Sequence, residues 1–264
     1  MVKGVLHIHS TYSDGEFSIA ELRDLYLDAG CRFACVTDHA DWFDEQRFAD
    51  YRRDCEQHSD EQFQFISGLE YACTDRMHIL GYGVTTPINS VDPETVIAQI
   101  MELGGLAVIA HPKDTAFDGI ERFDPLPDGI EVWNSKYDGR YAPRPATFAL
   151  LERLRQRRPA IRAFYGQDLH WRRQYRGLLT VLSGDGYDRD AVLTELRCGT
   201  YVGEKDGLRL PSDGVLETAL LARFERRHER SHSLRLLIKR AKDSAERLGL
   251  SVPRGVKAQL RRIF

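Results

Sequence analysis

The sequence lacks the features that mark several large classes of protein. Its five cysteines are odd in number and form no C-x-x-C pair, which argues against a disulfide framework and a cysteine zinc site. No apolar run approaches the roughly 20 residues needed to cross a bilayer, and the first residues have no signal-peptide layout. Neither internal repeats nor low-complexity segments are present. With 42% hydrophobic residues, we expect a cytoplasmic globular protein without a transmembrane segment.

Charge is distributed unevenly along the 264 residues. The net charge is −3, yet from Glu217 onward 13 Lys and Arg stand against 5 Asp and Glu. That segment therefore carries +8 and the remainder −11. The pattern also changes after Pro211, where the sequence predicts two arginine-rich helices, Gly214–Arg230 and Ser233–Leu248, and a basic tail, Arg254–Phe264. We expect a main domain at residues 1–211 and a basic helical C-terminal extension at residues 212–264.

Short apolar strands alternate with helices through the main domain. The first strand, Val2–Ile8, precedes a helix near Ser18–Ala29, in which Ser18 is the N-cap and Glu21 completes a capping box. Further predicted strands are Arg32–Thr37, Phe63–Gly68, His78–Val84, Leu106–Ala110, Gly129–Val132, Ala160–Tyr165 and Gly177–Leu182. Further predicted helices are Asp44–Glu61, Pro93–Leu103, Pro145–Arg157 and Arg189–Arg197. Such β–α units predict an α/β fold with a parallel sheet, closed or nearly closed into a barrel.

Six of the nine histidines and three carboxylates lie near strand ends. In a parallel barrel the carboxyl ends of the strands converge on one rim, so distant side chains can meet there. The pair His7 and His9 faces one side because strand side chains alternate, and Asp168 and His170 repeat that spacing. Burying these groups together without a cation would be costly. The predicted metal ligands are His7, His9, Asp14, His39, Glu70, His78, His111, Asp168 and His170.

Mixed imidazole and carboxylate ligands suit Mn, Fe or Zn better than Ca or Mg, so we expect two or three divalent transition-metal ions. Three such ions and three carboxylates leave a charge of about +3, which attracts a phosphomonoester of about −1.5 to −2. A hydroxide bridging two metals can attack phosphorus, so no nucleophilic Ser or Cys is required. The pattern therefore predicts a metal-dependent phosphoesterase.

Further residues near the strand ends are candidates for catalysis or substrate binding. Asp38, beside His39, is expected to orient a ligand imidazole, or alternatively to form a turn. Lys136 and Arg172 follow strand ends closely and are the favoured ligands of the substrate phosphate, although each can also be a solvated surface charge. Trp133 and Trp171 can flank a base or sugar, or simply pack.

The decapeptide Leu6–Gly15 (LHIHSTYSDG) closely resembles the opening motif of the PHP (polymerase and histidinol phosphatase) superfamily. Matching segments follow in order: Val36–His39, Gly68–Glu70, His78–Gly81, Ala110–Pro112, Gly129–Asn134 and Gly166–His170. Gln167 departs from the pattern, since the family usually has a small residue there. The resemblance covers roughly residues 1–203 and implies a distorted (β/α)7 TIM-like barrel, the PHP fold.

The resemblance also implies how three metals would be shared among the ligands. One group would be His7, His9, Glu70 and Asp168. A second group would be Glu70, His78 and His111, with Glu70 bridging, and a third would be Asp14, His39 and His170.

The substrate is less constrained. PHP enzymes similar to this chain hydrolyse histidinol phosphate, nucleotide phosphates, RNA ends or phosphotyrosine. Only 32 residues separate His78 from His111, without the long insertion of the nucleotide-directed relatives, which favours a small phosphorylated metabolite. One alternative is a nucleotide phosphatase or an exonuclease acting on nucleic-acid ends. A second is a protein that binds nucleic acid or an anionic surface through its basic C-terminal segment, with a structural metal site.

Overall fold

The computed structural model describes the backbone of residues 1–247 and the side chains of residues 1–230 together with Ser233, Leu236 and Ile238. The predicted basic tail, Arg254–Phe264, lies outside the described residues. No helix in the described part of the chain is long and apolar enough to span a membrane.

The described residues form ten strands and seven α-helices. The strands are β1 (Val2–Ile8), β2 (Phe33–His39), β3 (Gln64–Ala72), β4 (His78–Tyr82), β5 (Leu106–Ala110), β6 (Gly129–Asn134), β7 (Arg162–Gly166), β8 (Leu179–Leu182), β9 (Tyr201–Lys205) and β10 (Leu208–Pro211). The helices are α1 (Ile19–Asp28), α2 (Glu45–Gln57), α3 (Pro93–Glu102), α4 (Phe117–Ile120), α5 (Pro145–Arg157), α6 (Arg189–Cys198) and α7 (Thr218–Arg247).

All ten strands belong to one sheet, in the order β10-β9-β8-β1-β2-β3-β4-β5-β6-β7. Strands β1 to β3 pair in parallel, as do β5 to β7. The expectation of a parallel sheet is wrong for β4, which is antiparallel to both neighbours, and for β8, β9 and β10. Only residues 73–77 join β3 to β4, too few for the crossover that parallel strands need.

Strand β1 also meets the residues that follow β7, which nearly closes a seven-stranded barrel. Ile8 and Leu169 form an isolated parallel bridge. The amide of Asp168 donates to the carbonyl of His7 at 2.6 Å, and the amide of His9 donates to the carbonyl of Leu169 at 2.9 Å. This closure confirms the predicted distorted barrel, with helices packed outside it.

Two helices outside the barrel, α1 and α5, begin where their local sequence predicts. Ser18 caps α1, and Glu21 completes the capping box as predicted. Helix α5 has the predicted bounds, Pro145–Arg157, with proline at its first turn. Its buried Leu150 and Leu154 face the sheet, and burying one leucine side chain contributes about 1.5–3 kcal/mol.

The prediction of two C-terminal helices is wrong, because α7 continues through Ser231 and Ser233 without a break. Neither glycine nor proline interrupts the sequence there, so nothing stops the helix. Phe224, only 3% exposed, joins the hydrophobic core, and Leu216 and Leu220 pack against it. A separate domain at residues 212–264 stays a prediction.

Candidate metal centre

The nine predicted ligands come from separate elements but gather at one rim of the barrel. Strands β1 to β3 and β5 to β7 end at this rim. His78 stands at the start of β4 rather than at its end, and the antiparallel direction of β4 brings that start to the same rim. The antiparallel direction of β4 therefore explains why His78 lies at the rim, whereas in a purely parallel barrel the start of a strand would lie at the opposite end.

The two spaced pairs of ligands lie side by side. Ile8 and Leu169, the middle residues of His7–His9 and Asp168–His170, bridge each other and are fully buried. Simple strand alternation does not describe His7, however. The pairing of β1 with β2 shifts between Leu6 and Ile8, and His7 has a left-handed backbone with φ of 57°.

Two other predicted ligands share this unusual backbone, namely Asp168 with φ of 54° and His111 with φ of 29°. Left-handed conformations are disfavoured for residues with a Cβ. They persist where the surrounding structure fixes them, and they concentrate at functional sites.

Glu70 is the centre of the cluster and is almost completely buried. Among the described residues, five imidazoles have a nitrogen within 3.5 Å of its carboxylate oxygens: those of His7, His9, His39, His78 and His111. His78 Nδ1 is 2.7 Å from Oε1, a hydrogen-bond distance. The other four separations are 3.2–3.5 Å, longer than the 2.7–2.9 Å or so of a charge-assisted hydrogen bond. They are close to the edge of about 3.4 Å in a tetrahedron with metal–ligand bonds of about 2.1 Å.

Three groups of ligand atoms lie within 4.8 Å of one another. One contains His9 together with Asp14, His39 and His170, which is the third predicted group with one more imidazole. The others are His7, His9 and Asp168, and His7, Glu70 and His111. The last group contains His7 in addition to the expected Glu70 and His111, while His78 lies beside Glu70 at 2.7 Å. The assignment of ligands to individual ions stays a prediction.

The donor set fits divalent cations. Nε2 of His7 and both ring nitrogens of His9 are buried and have no hydrogen-bond partner within the described part of the chain. Buried polar atoms are almost always paired, so such nitrogens indicate a missing ligand. The Nε2 atoms of both histidines lie 3.4–3.9 Å from oxygens of Glu70 and Asp168.

Burial and charge set the protonation of the cluster. Burial lowers the pKa of His9 well below its ordinary value of 6.5. Burial alone would raise the pKa of Glu70 and Asp168, but the neighbouring imidazoles, chiefly His7, hold both well below their usual range. A neutral imidazole and two ionised carboxylates are the states that bind metal ions.

Glu131 is a functional residue that the sequence reasoning missed. Fully buried, it accepts hydrogen bonds from His7 Nδ1 at 2.8 Å, from the amide of His111 at 2.9 Å and from Asn134 Nδ2 at 2.9 Å. It therefore fixes the ring of His7 so that Nε2 faces Glu70. The sequence feature that could have identified Glu131 is its position as a single acidic residue within the apolar run GIEVWN.

Of the two alternatives predicted for Asp38, its contacts agree with support of a turn rather than of an imidazole. Its carboxylate accepts from the amide and hydroxyl of Ser10 at 2.8 and 2.6 Å, and from the hydroxyl of Ser13 at 2.5 Å. Both oxygens thus hold the turn that carries Asp14, rather than a histidine ring. In the same turn a Cβ on Gly15 would lie 2.4 Å from the carbonyl oxygen of His9, so the turn packs directly against a ligand.

Of the two favoured basic residues, the structure brings only Lys136 to the cluster. Its Nζ is 2.8 Å from Asp168 Oδ1 and 3.3 Å from His170 Nδ1. Burial acts to lower the pKa of Lys136, but Asp168 outweighs it and raises that pKa above the ordinary value. The Arg172 guanidinium instead packs 5.0 Å from the ring centre of Phe17.

A nearly closed α/β barrel with imidazoles and carboxylates gathered at one rim defines a class of metal-dependent hydrolases. The family model of the PHP domain matches residues 6–190, so the chain belongs to the PHP domain family. The predicted membership of the PHP superfamily is thereby confirmed.

Among the comparisons with individual proteins, the first solved structure supports the fold. The chain is similar to a two-domain protein from Bacteroides vulgatus that contains a predicted PHP-like metal-dependent phosphoesterase, with a TM-score of 0.59, 15% identity, and 79% of this chain and 66% of that chain covered. An amidohydrolase from Chromobacterium violaceum aligns with a TM-score of 0.49, 18% identity, and 67% and 90% covered.

A short stretch is similar to the DNA polymerase/3'-5' exonuclease PolX of Bacillus subtilis, with 44% identity over 41 residues. That stretch is 16% of this chain and only 7% of the relative.

Proposed function

We propose that the protein is a phosphomonoesterase that holds two or three Mn, Fe or Zn ions through the nine residues gathered at the rim. The observation that carries this proposal is the convergence on Glu70 of five imidazoles, with buried His7 and His9 nitrogens that have no hydrogen-bond partner among the described residues. When bound, such ions supply positive charge for phosphate oxygens and lower the pKa of water.

The chain's own residues prepare the site for a phosphate dianion. Glu70 and Asp168 remain ionised and so hold cations in the buried part of the cluster. Asp14 and His39 are more exposed than these carboxylates, and they mark the side on which the cluster opens. Lys136 adds an ammonium group at Asp168, where it can bind a phosphate oxygen.

Two classes of substrate are candidates for the molecule that carries the phosphate. The short span between His78 and His111 contains one helix, α3, and favours a small phosphorylated metabolite. A nucleotide or a nucleic-acid end is the second candidate, which α7 favours because its side chains at Arg223, Arg226, Arg227 and Arg230 are exposed.

A phosphate-release screen tests the proposal. Sugar phosphates, mononucleotides and short oligonucleotides are offered with Mn, Fe or Zn, and bound metal is measured on the same samples. We expect His9→Ala to lose metal and activity together. His58→Ala is the matched control, because His58 pairs with Asp54 on α2, away from the cluster. Full activity in His9→Ala, or in protein shown to be free of metal, would contradict the proposal.

A further inference from the structure

Cations and tyrosines alternate along the loop between β6 and α5. Lys136 Nζ lies 5.1 Å from the ring centre of Tyr137, and the Arg140 guanidinium carbon lies 5.6 Å from that of Tyr141. The Arg227 guanidinium carbon, from α7, lies 4.7 Å from the same Tyr141 ring. We name these five residues the basic–aromatic track. Both tyrosines are about half exposed, at 52% and 53%, so part of each ring is accessible to a ligand.

The inner end of the track belongs to the metal centre. Lys136 contacts Asp168 and His170 there, and the Tyr137 ring centre is 4.5 Å from that of His111. A ligand bound at the inner end of the track therefore lies next to the cluster.

The loop that carries the track is held in place. Arg144 pairs with Asp138 and with Asp114, each at 2.7 Å. The indole nitrogen of Trp133 donates to the carbonyl of Gly139 at 3.0 Å. A loop fixed on both sides presents its side chains with little ordering cost, which favours binding.

The outer end of the track continues onto α7. Glu225, His228 and Glu229 of that helix lie beside Arg144 and the start of α5, which is the rim side of the barrel because α5 follows β6. By sequence, the described turns after Glu229 contain six Lys or Arg and two Asp or Glu. The sequence of these turns therefore carries a net charge of +4, although Glu225 and Glu229 lie beside the start of α5.

We propose that the basic–aromatic track binds the strand of a single-stranded nucleic acid whose terminal phosphate occupies the metal centre. This inference rests on the phosphomonoesterase function proposed above. Cations that follow a phosphate backbone, with aromatic faces on which bases stack, are the elements of single-strand binding. The stretch from Lys136 to Tyr141 spans at most about 17 Å. A small sugar phosphate held at the cluster extends over only part of that length.

The test compares kcat/KM for phosphate release from three substrates: a hexanucleotide phosphorylated at its 5' or 3' end, a mononucleotide and a sugar phosphate. Stacking contributes about 1–3 kcal/mol per base, so Tyr141→Ala should lower the ratio of hexanucleotide to sugar-phosphate kcat/KM by about 5–150-fold. Arg227→Ala removes a cation beside the same ring and should lower the ratio in the same direction. Arg53→Ala is the control, because Arg53 is an exposed arginine on α2 that pairs with Asp50, and it should leave the ratio unchanged.

Fluorescence anisotropy with a labelled hexanucleotide separates binding from turnover. If the wild type binds the strand through Tyr141 and Arg227 but releases phosphate from no substrate, the proposed function fails while the strand-binding surface stands. An unchanged ratio in both track variants overturns the inference. It is also overturned if the variants lose only their affinity for phosphatidylserine vesicles, which would assign the surface to a membrane.

Discussion

Replacing Gly166 by alanine tests whether Glu131 holds the candidate ligand His7 in place. A Cβ at position 166 would lie 1.6 Å from Glu131 Oε1 and 3.0 Å from His7 Cβ. Ordinary contact begins near 3.4 Å, so the carboxylate must move by about 1.8 Å. That shift breaks its 2.8 Å hydrogen bond with His7 Nδ1.

The cost follows from the contacts that are lost. Hydrogen bonds to a charged group contribute about 1.5–3 kcal/mol each, and overpacking a core costs about 1–3 kcal/mol. We therefore expect the free energy of unfolding to fall by about 3 kcal/mol or more. For a chain of this size that change lowers Tm by about 6–12 °C. Disturbing a residue that orients a metal ligand should also weaken metal binding by about 10–100-fold.

Two measurements check this expectation: thermal unfolding in the presence of chelator, and metal content after equilibration with limiting Zn or Mn. Gly119→Ala is the matched control, because a Cβ there meets nothing within 4 Å and the backbone φ is ordinary. Glu131→Gln provides a second variant with little change in volume. Glutamine has one acceptor oxygen for the three donors that Glu131 satisfies, so His7 or His111 loses its support. Wild-type metal content and Tm in Gly166→Ala would refute the reasoning.

Other expected outcomes concern the cluster and its scaffold. Chelation should abolish phosphate release and added Mn or Zn should restore it; turnover in protein assayed as metal-free would count against the proposal. Glu70→Gln should bind at least one ion fewer and lose about 100-fold or more in kcat/KM, which metal analysis and kinetics would show. Although burial lowers the pKa of His7 and His111, their acidic neighbours raise both above 6.5. Protons then compete with metal, so calorimetry should show affinity that rises as pH increases above 6.5. Ser18→Ala should cost about 1 kcal/mol in urea unfolding, with metal content unchanged.

Features specified by a few adjacent residues could be predicted from the sequence. The cap of α1 depends on Ser18 and Glu21 alone, and the start of α5 on Pro145. The gathering of the nine side chains at one rim was predictable for a related reason. All but Asp14 stand at or within a few residues of an apolar run, and barrel closure brings the ends of such runs together.

Strand direction could not be predicted in the same way. The run HILGY at β4 has the same composition whether it runs up or down the barrel, so its antiparallel pairing appears only once the neighbours are in place. The β9–β10 hairpin was also missed, although Asp206-Gly207 is a hairpin-turn signal, and both residues have positive φ. Glu131 escaped notice because its importance lies in contacts with His7 and His111, residues distant in the sequence.

The left-handed backbone at position 7 has a consequence for how the enzyme can be altered. A residue with a Cβ in this left-handed conformation costs about 1–2 kcal/mol, which the interactions of the His7 side chain must offset. His7→Gly relieves that cost and His7→Ala does not, so the glycine variant should unfold at the higher temperature even though both lack the imidazole. The difference in Tm between these two variants therefore measures the backbone strain at position 7 separately from the loss of the imidazole.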